Sequence, residues 1–295
     1  MSKYSIKDLE QISGIKAHTI RIWERRYGIV QPERTKTNIR YYSDGDVKRL
    51  LNISMLNASG IKISHLAVLN DSELEAKVIE LSQTDHLEEA SIKKLILATI
   101  NFDENLFENL LSNSIIDIGI ENTIAEILFP FFQQVGVLWQ VGSISPAQEH
   151  FISNLVRQKL FVAIDSLSTF FPEDTKKVIF YLREGEFHEI SILFYNYIAK
   201  KNGMRTLYLG QNLPYDDVEK VVNDYGADAI VTSFINPEKE GVLNEYLNRL
   251  GKGFPSMRIY ITGLQLQQKD ICIPNSLSVF SSLTAFKDLI VDLKK

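Results

Sequence analysis

His188 is the residue in this chain with the most chemistry to offer. It stands in the segment Arg183-Glu184-Gly185-Glu186-Phe187-His188-Glu189, directly after the apolar run VIFYL. Two other short groups follow comparable runs. Ser233-Phe234-Ile235 follows AIVTS, with Ser233 closing the run itself, and Thr262-Gly263-Leu264 follows RIYI. If each run is a strand of one parallel sheet, the three groups share the rim where ligands of such sheets bind. An imidazole there, beside a small hydroxyl residue and a glycine allowing close backbone approach, could hold a large flat ligand by an axial metal bond and bury its tail. A loop histidine alone is usually a solvated side chain or a helix cap, so the reading rests on the three groups together.

A second set of residues has a different chemistry. Arg34, Lys36 and Arg40 crowd the stretch between Pro32 and Tyr42, a polar and basic loop able to follow a phosphate backbone. Just before it, Lys16 to Tyr27 reads as a helix carrying His18, Thr19, Arg21 and Trp23, stopped by Gly28. Residues 1–70 hold twelve Lys/Arg against six Asp/Glu, a net of +6, whereas the whole chain is −5 and the remainder therefore −11. A basic head on an acidic body is the footprint of one nucleic-acid face on an otherwise soluble protein. Thr19 and Arg21 are expected to approach the major groove. Arg34, Lys36 and Arg40, with Tyr41 beside them, are expected mainly at phosphates. His18 and Trp23 are also expected at the DNA, with a partly core position the alternative for Trp23.

Local signals position these groups. Ser5 and Asp8 form a capping pair for a first short helix ending near Ser13-Gly14, and Ser43 caps another over Asp44–Ala58. A further helix is expected over Lys62–Leu69. From about Ser72 to Ser168 apolar residues recur at helical spacing, predicting a bundle of four or five helices. Ser145, Pro146 and Gln148 make a capped helix start there, which leaves Glu149 and His150 in the first turn with no capping duty. Phe171-Pro172-Glu173-Asp174 looks like a linker. From Lys177 five short β-branched or aromatic runs alternate with amphipathic helical stretches, which predicts a parallel sheet covered by helices on both faces.

The 295 residues and 45% hydrophobic content suit two or three domains. No apolar run approaches a membrane span, and the N-terminal residues enter the first helix directly rather than reading as a signal peptide. The single cysteine, Cys272, excludes an intramolecular disulfide framework and a thiolate-clustered metal sensor, and it fits a reducing cytoplasm. No nucleophile triad, phosphate loop or zinc site is visible, so a non-enzyme is expected.

On the pieces TIRIWERRYG and RYYS, the first seventy residues resemble the DNA-binding domain of the MerR family, a winged helix-turn-helix. The rim groups resemble the cobalamin-binding domain, whose pattern is D/E-x-H-x-x-G, then S-x-L, then G-G. That resemblance implies that His188 is the lower axial ligand of cobalt and that Glu186 orients its other ring nitrogen. It also implies that Ser233, Thr262 and Gly263 line the slot for the displaced nucleotide tail. Ser191 stands where the pattern has Gly, Ile235 where it has Leu, and Thr262 where it has the first Gly of the pair. Trp139, followed ten residues later by Glu149 and His150, resembles the bundle of the light-sensing, adenosylcobalamin-dependent MerR repressors, where these residue types cover the upper face of the corrin.

The expected architecture is multidomain, α and α/β. It comprises a winged helix-turn-helix over residues 1–71, a helical bundle over 72–171 and a Rossmann-like five-stranded domain over 175–295. The expected function is a cytoplasmic transcriptional regulator that binds a double-stranded DNA operator as a homodimer or dimer of dimers and senses a cobalamin. A regulator with a degenerate, cofactor-free domain is the main alternative, and a corrinoid carrier or methyltransferase module is a third.

Overall fold

The computed structural model describes residues 4–34, 40–81, 87–140, 144–167, 170–236, 241–268 and 270–295. The chain divides into two compact units, Met1–Ile152 and Ser153–Lys295.

The first unit begins with α1 (Ile6–Ser13) and α2 (Ala17–Tyr27). The α1 start carries a complete capping box. Asp8 N donates to Ser5 Oγ and Ser5 N donates to Asp8 Oδ2, and Gly14 closes the helix at φ 73°. Gly28 ends α2 the same way, at φ 63°. A two-stranded antiparallel ribbon follows, β1 (Glu33–Arg34) with β2 (Arg40–Tyr41), Arg34 facing Arg40. The residues between the strands, Lys36 among them, lie outside the described residues. Then α3 (Asp44–Ala58) starts on a second capping box, Ser43 with Asp46. The helix expected over Lys62–Leu69 is a single turn, α4 (Ile63–Leu66), because the chain turns again before Asp71.

The bundle is built from α5 (Asp71–Leu81), α6 (Leu87–Asn101), α7 (Glu104–Asn122), α8 (Phe129–Gln140) and α9 (Pro146–Asp165). Gly119 breaks the regular path of α7 at φ 78°, ψ 158°, and a π-helical turn, Thr123–Leu128, joins α7 to α8. Buried Leu95, Phe107, Leu111, Ile127, Phe131 and Leu138 form the apolar interior of this region. At the start of α9 the Ser145 and Gln148 side chains cap each other's backbone reciprocally, and Pro146 takes the first helical position.

The second unit holds a five-stranded, all-parallel sheet: β3 (Lys177–Arg183), β4 (Arg205–Leu213), β5 (Ala229–Ser233), β6 (Arg258–Thr262) and β7 (Leu277–Val279). Their order across the sheet is β4-β3-β5-β6-β7. Between them run α10 (Ile190–Lys201), α11 (Tyr215–Tyr225), α12 (Val242–Gly253) and α13 (Leu283–Lys294). Ile179 and Tyr181 of β3 pack with Val218 and Val222 of α11 and with Leu243, Leu247 and Leu250 of α12. Phe180 points the other way, towards Phe286 of α13, and Tyr195 of α10 stacks on Phe280 and Phe286. With helices on both faces, β3 is buried on both sides, which is why it reads as a continuous apolar run. The chain leaves β3 in one direction to β4 and returns across it to β5. The crevice beyond the carboxyl ends of β3 and β5 is therefore the topological switch point, where such sheets take ligands.

Candidate functional site

Glu186 sits at that switch point, completely buried. Its placement begins with a tight turn after β3, in which Glu186 N donates to Arg183 O at 3.0 Å and Gly185 adopts φ 82°. The carboxylate then accepts five N–H groups. Oε1 takes His188 Nδ1 at 2.7 Å and the backbone amides of Phe187 and His188 at 3.1 Å each. Oε2 takes the backbone amides of Ile235 and Asn236, each at 2.8 Å, from the loop that follows β5. Burial alone would push this carboxyl up. The hydrogen bonds from His188 and from the Asn236, Ile235 and His188 amides outweigh it and bring its pKa down to about 2. An ionised acceptor against His188 fixes Nδ1 as the proton-bearing nitrogen, so in neutral imidazole the lone pair lies on Nε2. Half of the His188 side-chain surface is exposed at the rim.

The other rim residues lie around this centre. Ser191 Oγ donates to Ser233 Oγ at 3.3 Å, tying the first turn of α10 to the end of β5. Ser233 is fully buried and Thr262 nearly so. At Gly263 the backbone adopts φ 120°, and a Cβ there would stand 2.2 Å from Phe234 O. Phe234 N donates to Thr262 O and Gln265 N donates to Phe234 O, so the ends of β5 and β6 are laced backbone to backbone. Gly263 therefore has a packing duty of its own. Beside the imidazole, Glu189 is held by Arg157 Nε at 2.6 Å and by Tyr208 Oη at 2.7 Å. Sequence reasoning singled out neither Glu189 nor the two β5-loop amides on Glu186. The amides are main-chain groups some fifty residues away and leave no mark in residue type.

In the first unit, Trp139 lies near the end of α8 with 53% of its surface exposed. Glu149 and His150 pair with each other in the first turn of α9, at 3.0 Å. On α2, His18 and Arg21 are exposed, Thr19 is half-buried with its Oγ1 3.3 Å from His18 Nε2, and Trp23 is half-buried. On the ribbon, Arg34 is exposed, and Tyr41 Oη donates to Glu33. Arg40 reaches back to α2, where its Nε donates to Glu24 Oε1 at 3.2 Å, while Tyr42 Oη donates to Glu24 Oε2 at 3.3 Å. Burial and the neighbouring Glu24 push the Tyr42 phenol up to about 12. Glu24 thus clamps the wing to the helix it accompanies.

Residues 4–72 match the MerR HTH family regulatory protein model, and residues 91–163 match the B12 binding domain model. The chain joins a MerR-type head to a B12-binding-type domain. It is 26% identical over 258 residues to the HTH-type transcriptional repressor CarH of Myxococcus xanthus, covering 85% of each chain. It is 24% identical over 256 residues to the repressor CarA of the same organism, covering 85% of this chain and 84% of that one. Among solved structures, the monomethylamine corrinoid protein of Methanosarcina barkeri overlays with a TM-score of 0.53 at 13% identity, over 70% of this chain and 99% of that one. That likeness is one of fold, in keeping with the five-stranded parallel sheet expected from the strand and helix alternation.

The donor set fits the group that the B12-binding match implies. A rim imidazole whose Nδ1 proton is locked onto a buried carboxylate is a suitable nitrogen ligand for a metal carried in a flat macrocycle.

Proposed function

We propose that this chain is a DNA-binding transcriptional regulator that senses cobalamin. The observation that carries the sensing half is the Glu186 carboxylate at the switch point, which presents His188 as an oriented nitrogen ligand. The observation that carries the DNA half is the basic helix-turn-helix with its wing clamped through Glu24.

In this reading α2 enters the major groove, with Thr19 and Arg21 near base edges. Arg34, Lys36, Arg40 and Tyr41 meet the phosphate backbone, and His18 lies on the same side of the helix. His188 would supply the nitrogen ligand to cobalt, and Glu186 would keep the ring oriented. Ser233, Thr262 and Gly263 would border the slot for its tail, and Trp139, Glu149 and His150 would be the first unit's own contribution to cofactor binding. When bound, adenosylcobalamin supplies a cobalt–carbon bond that light can break. The chain's own residues bind, orient and exclude water. Among the described residues no helix is long and apolar enough to cross a membrane. We place the protein in the cytoplasm, without enzymatic activity, with domains over 1–71, 72–171 and 175–295. A single head contacts too little DNA for high specificity, so it acts as a homodimer or dimer of dimers on a two-fold operator.

The test is direct. The full chain, incubated with adenosylcobalamin in the dark and passed through gel filtration, retains corrin absorbance. Light scattering before and after illumination, with and without DNA, reads the assembly. A colourless eluate would instead favour a regulator with a degenerate domain, in which the Ser191–Ser233 hydrogen bond closes the place where the tail would enter.

A further inference from the structure

Ile22 is out of place for an apolar side chain. It lies on α2 with 53% of its surface exposed, although Ile20 on the same helix is fully buried. At 100° per residue, Ile22 stands at the middle of the exposed face. His18 lies one turn before it and Arg25 and Arg26 one turn after, with Arg21 at the flank. All four of those neighbours are exposed and polar, and three carry fixed positive charge. Trp23 points about 100° away, towards the half-buried side of the helix. A β-branched aliphatic group ringed by arginines is a poor surface for water and a poor one for an apolar protein partner. It suits a highly charged anionic partner that also carries isolated methyl groups. The major groove of DNA is such a surface, because thymine places its C5 methyl among the base-edge acceptors.

We propose that Ile22 is a sequence-reading residue that packs on the C5 methyl of one thymine in each half-site. His18, Arg21, Arg25 and Arg26 surround that contact with polar and phosphate interactions. This inference rests on the DNA-binding reading and adds a base identity to it. A methyl is worth about fourfold in affinity when fully covered, and an arginine–guanine pair beside it contributes more. Ile22 therefore tunes the choice of site and leaves general affinity for duplex to the arginines.

The experiment begins with the full-length protein enriching duplexes from a random pool. Each thymine of the selected site is then replaced in turn by deoxyuridine, which keeps every hydrogen-bonding atom and lacks only the methyl. Wild type is expected to lose about fourfold at one thymine per half-site. Ile22→Ala should bind the parent duplex correspondingly less well and be indifferent to that replacement, with Ile22→Val in between. An unchanged thermal melt of each variant shows that the exposed position left the fold intact. Indifference of wild type to deoxyuridine at every position, or full sensitivity retained by Ile22→Ala, overturns the inference while DNA binding stands. If no duplex is enriched at all, the DNA-binding reading fails and takes this inference with it.

Discussion

The Glu10 carboxylate accepts the backbone N–H of Ala17 at 3.1 Å, so α1 provides the cap that α2 lacks in its own sequence. Lys16, at the N-cap position, makes no side-chain capping bond, and its ammonium instead pairs with the same carboxylate at 3.1 Å. The bonds from Ala17 and then from Lys16 hold Glu10 below the usual carboxylate range. A depressed carboxyl contributes stability that is present above its unfolded-state pKa and lost as pH falls through the folded one. Wild type is therefore expected to melt above Glu10→Gln at neutral pH, and the gap should close as the pH drops below the carboxylate range. Lys16→Ser, which restores a local cap, should recover part of what Glu10→Ala loses. Melting curves of the four proteins from neutral to acid pH measure both effects.

Arg40 has a partner inside the protein as well as a place on the wing, and the two duties separate experimentally. Arg40→Ala and Glu24→Ala should each lower stability. A double-mutant cycle should show coupling of about 1 kcal/mol for this partly buried pair. Arg34→Ala should weaken binding across DNA sequences and reduce the salt slope by about one phosphate contact. Affinity titrations at several salt concentrations decide it. An unchanged slope for both arginine variants removes the wing from the DNA contact.

Gly263 is the position on the rim least open to substitution. Gly263→Ala places a methyl 2.2 Å from a main-chain oxygen and a side chain at φ 120°, so the lacing of β5 to β6 must give way. The unfavourable backbone alone costs ~1–3 kcal/mol. The expected result is a lower melting temperature and weakened corrinoid retention together. A variant that melts like wild type would mean that the strand ends are looser than the close approach implies.

His188→Ala should sharply weaken corrinoid retention or leave a bound corrinoid with an altered spectrum. It should also lower the melting temperature, because it removes one of the five donors to the buried Glu186 carboxylate. Glu186→Gln should do both kinds of damage. It sets an amide NH2 among five N–H groups, and losing the acceptor for buried donors costs on the order of 1–3 kcal/mol each. Trp139→Ala should leave retention largely intact and alter the response to light. Ser191→Gly removes the hydroxyl that bonds Ser233, and Thr262→Gly removes a buried side chain. Tighter binding in either variant would show that the tail slot is crowded. Absorption spectra after gel filtration, alongside melting curves, separate these cases.

What sequence could reveal follows the range of the interactions involved. The starts of α1, α3 and α9 were legible because capping is settled within three residues, by Ser5 and Asp8, Ser43 and Asp46, and Ser145 and Gln148. The central strands β3, β5 and β6 were legible because burial on both faces leaves nearly uninterrupted apolar runs. The cap on Ala17 was not, because its donor and acceptor sit on different helices. Nor was the centrality of Ile22, since the face of α2 that remains outside depends on how α2 packs against its neighbours. The break at Gly119 and the π-turn after it were hidden within a continuous helical pattern. At the rim the identity of His188 and Glu186 could be read, but not the β5-loop amides that make the carboxylate a hub.

That hub has a consequence for how a signal could arise. Five donors from two loops converge on one buried carboxylate, so the imidazole is aimed by the protein's own hydrogen bonds. A ligand arriving there meets a finished socket and has little ordering left to impose. The socket gives grip and a fixed frame of reference, and a switch would have to be thrown at the opposite face of the ligand.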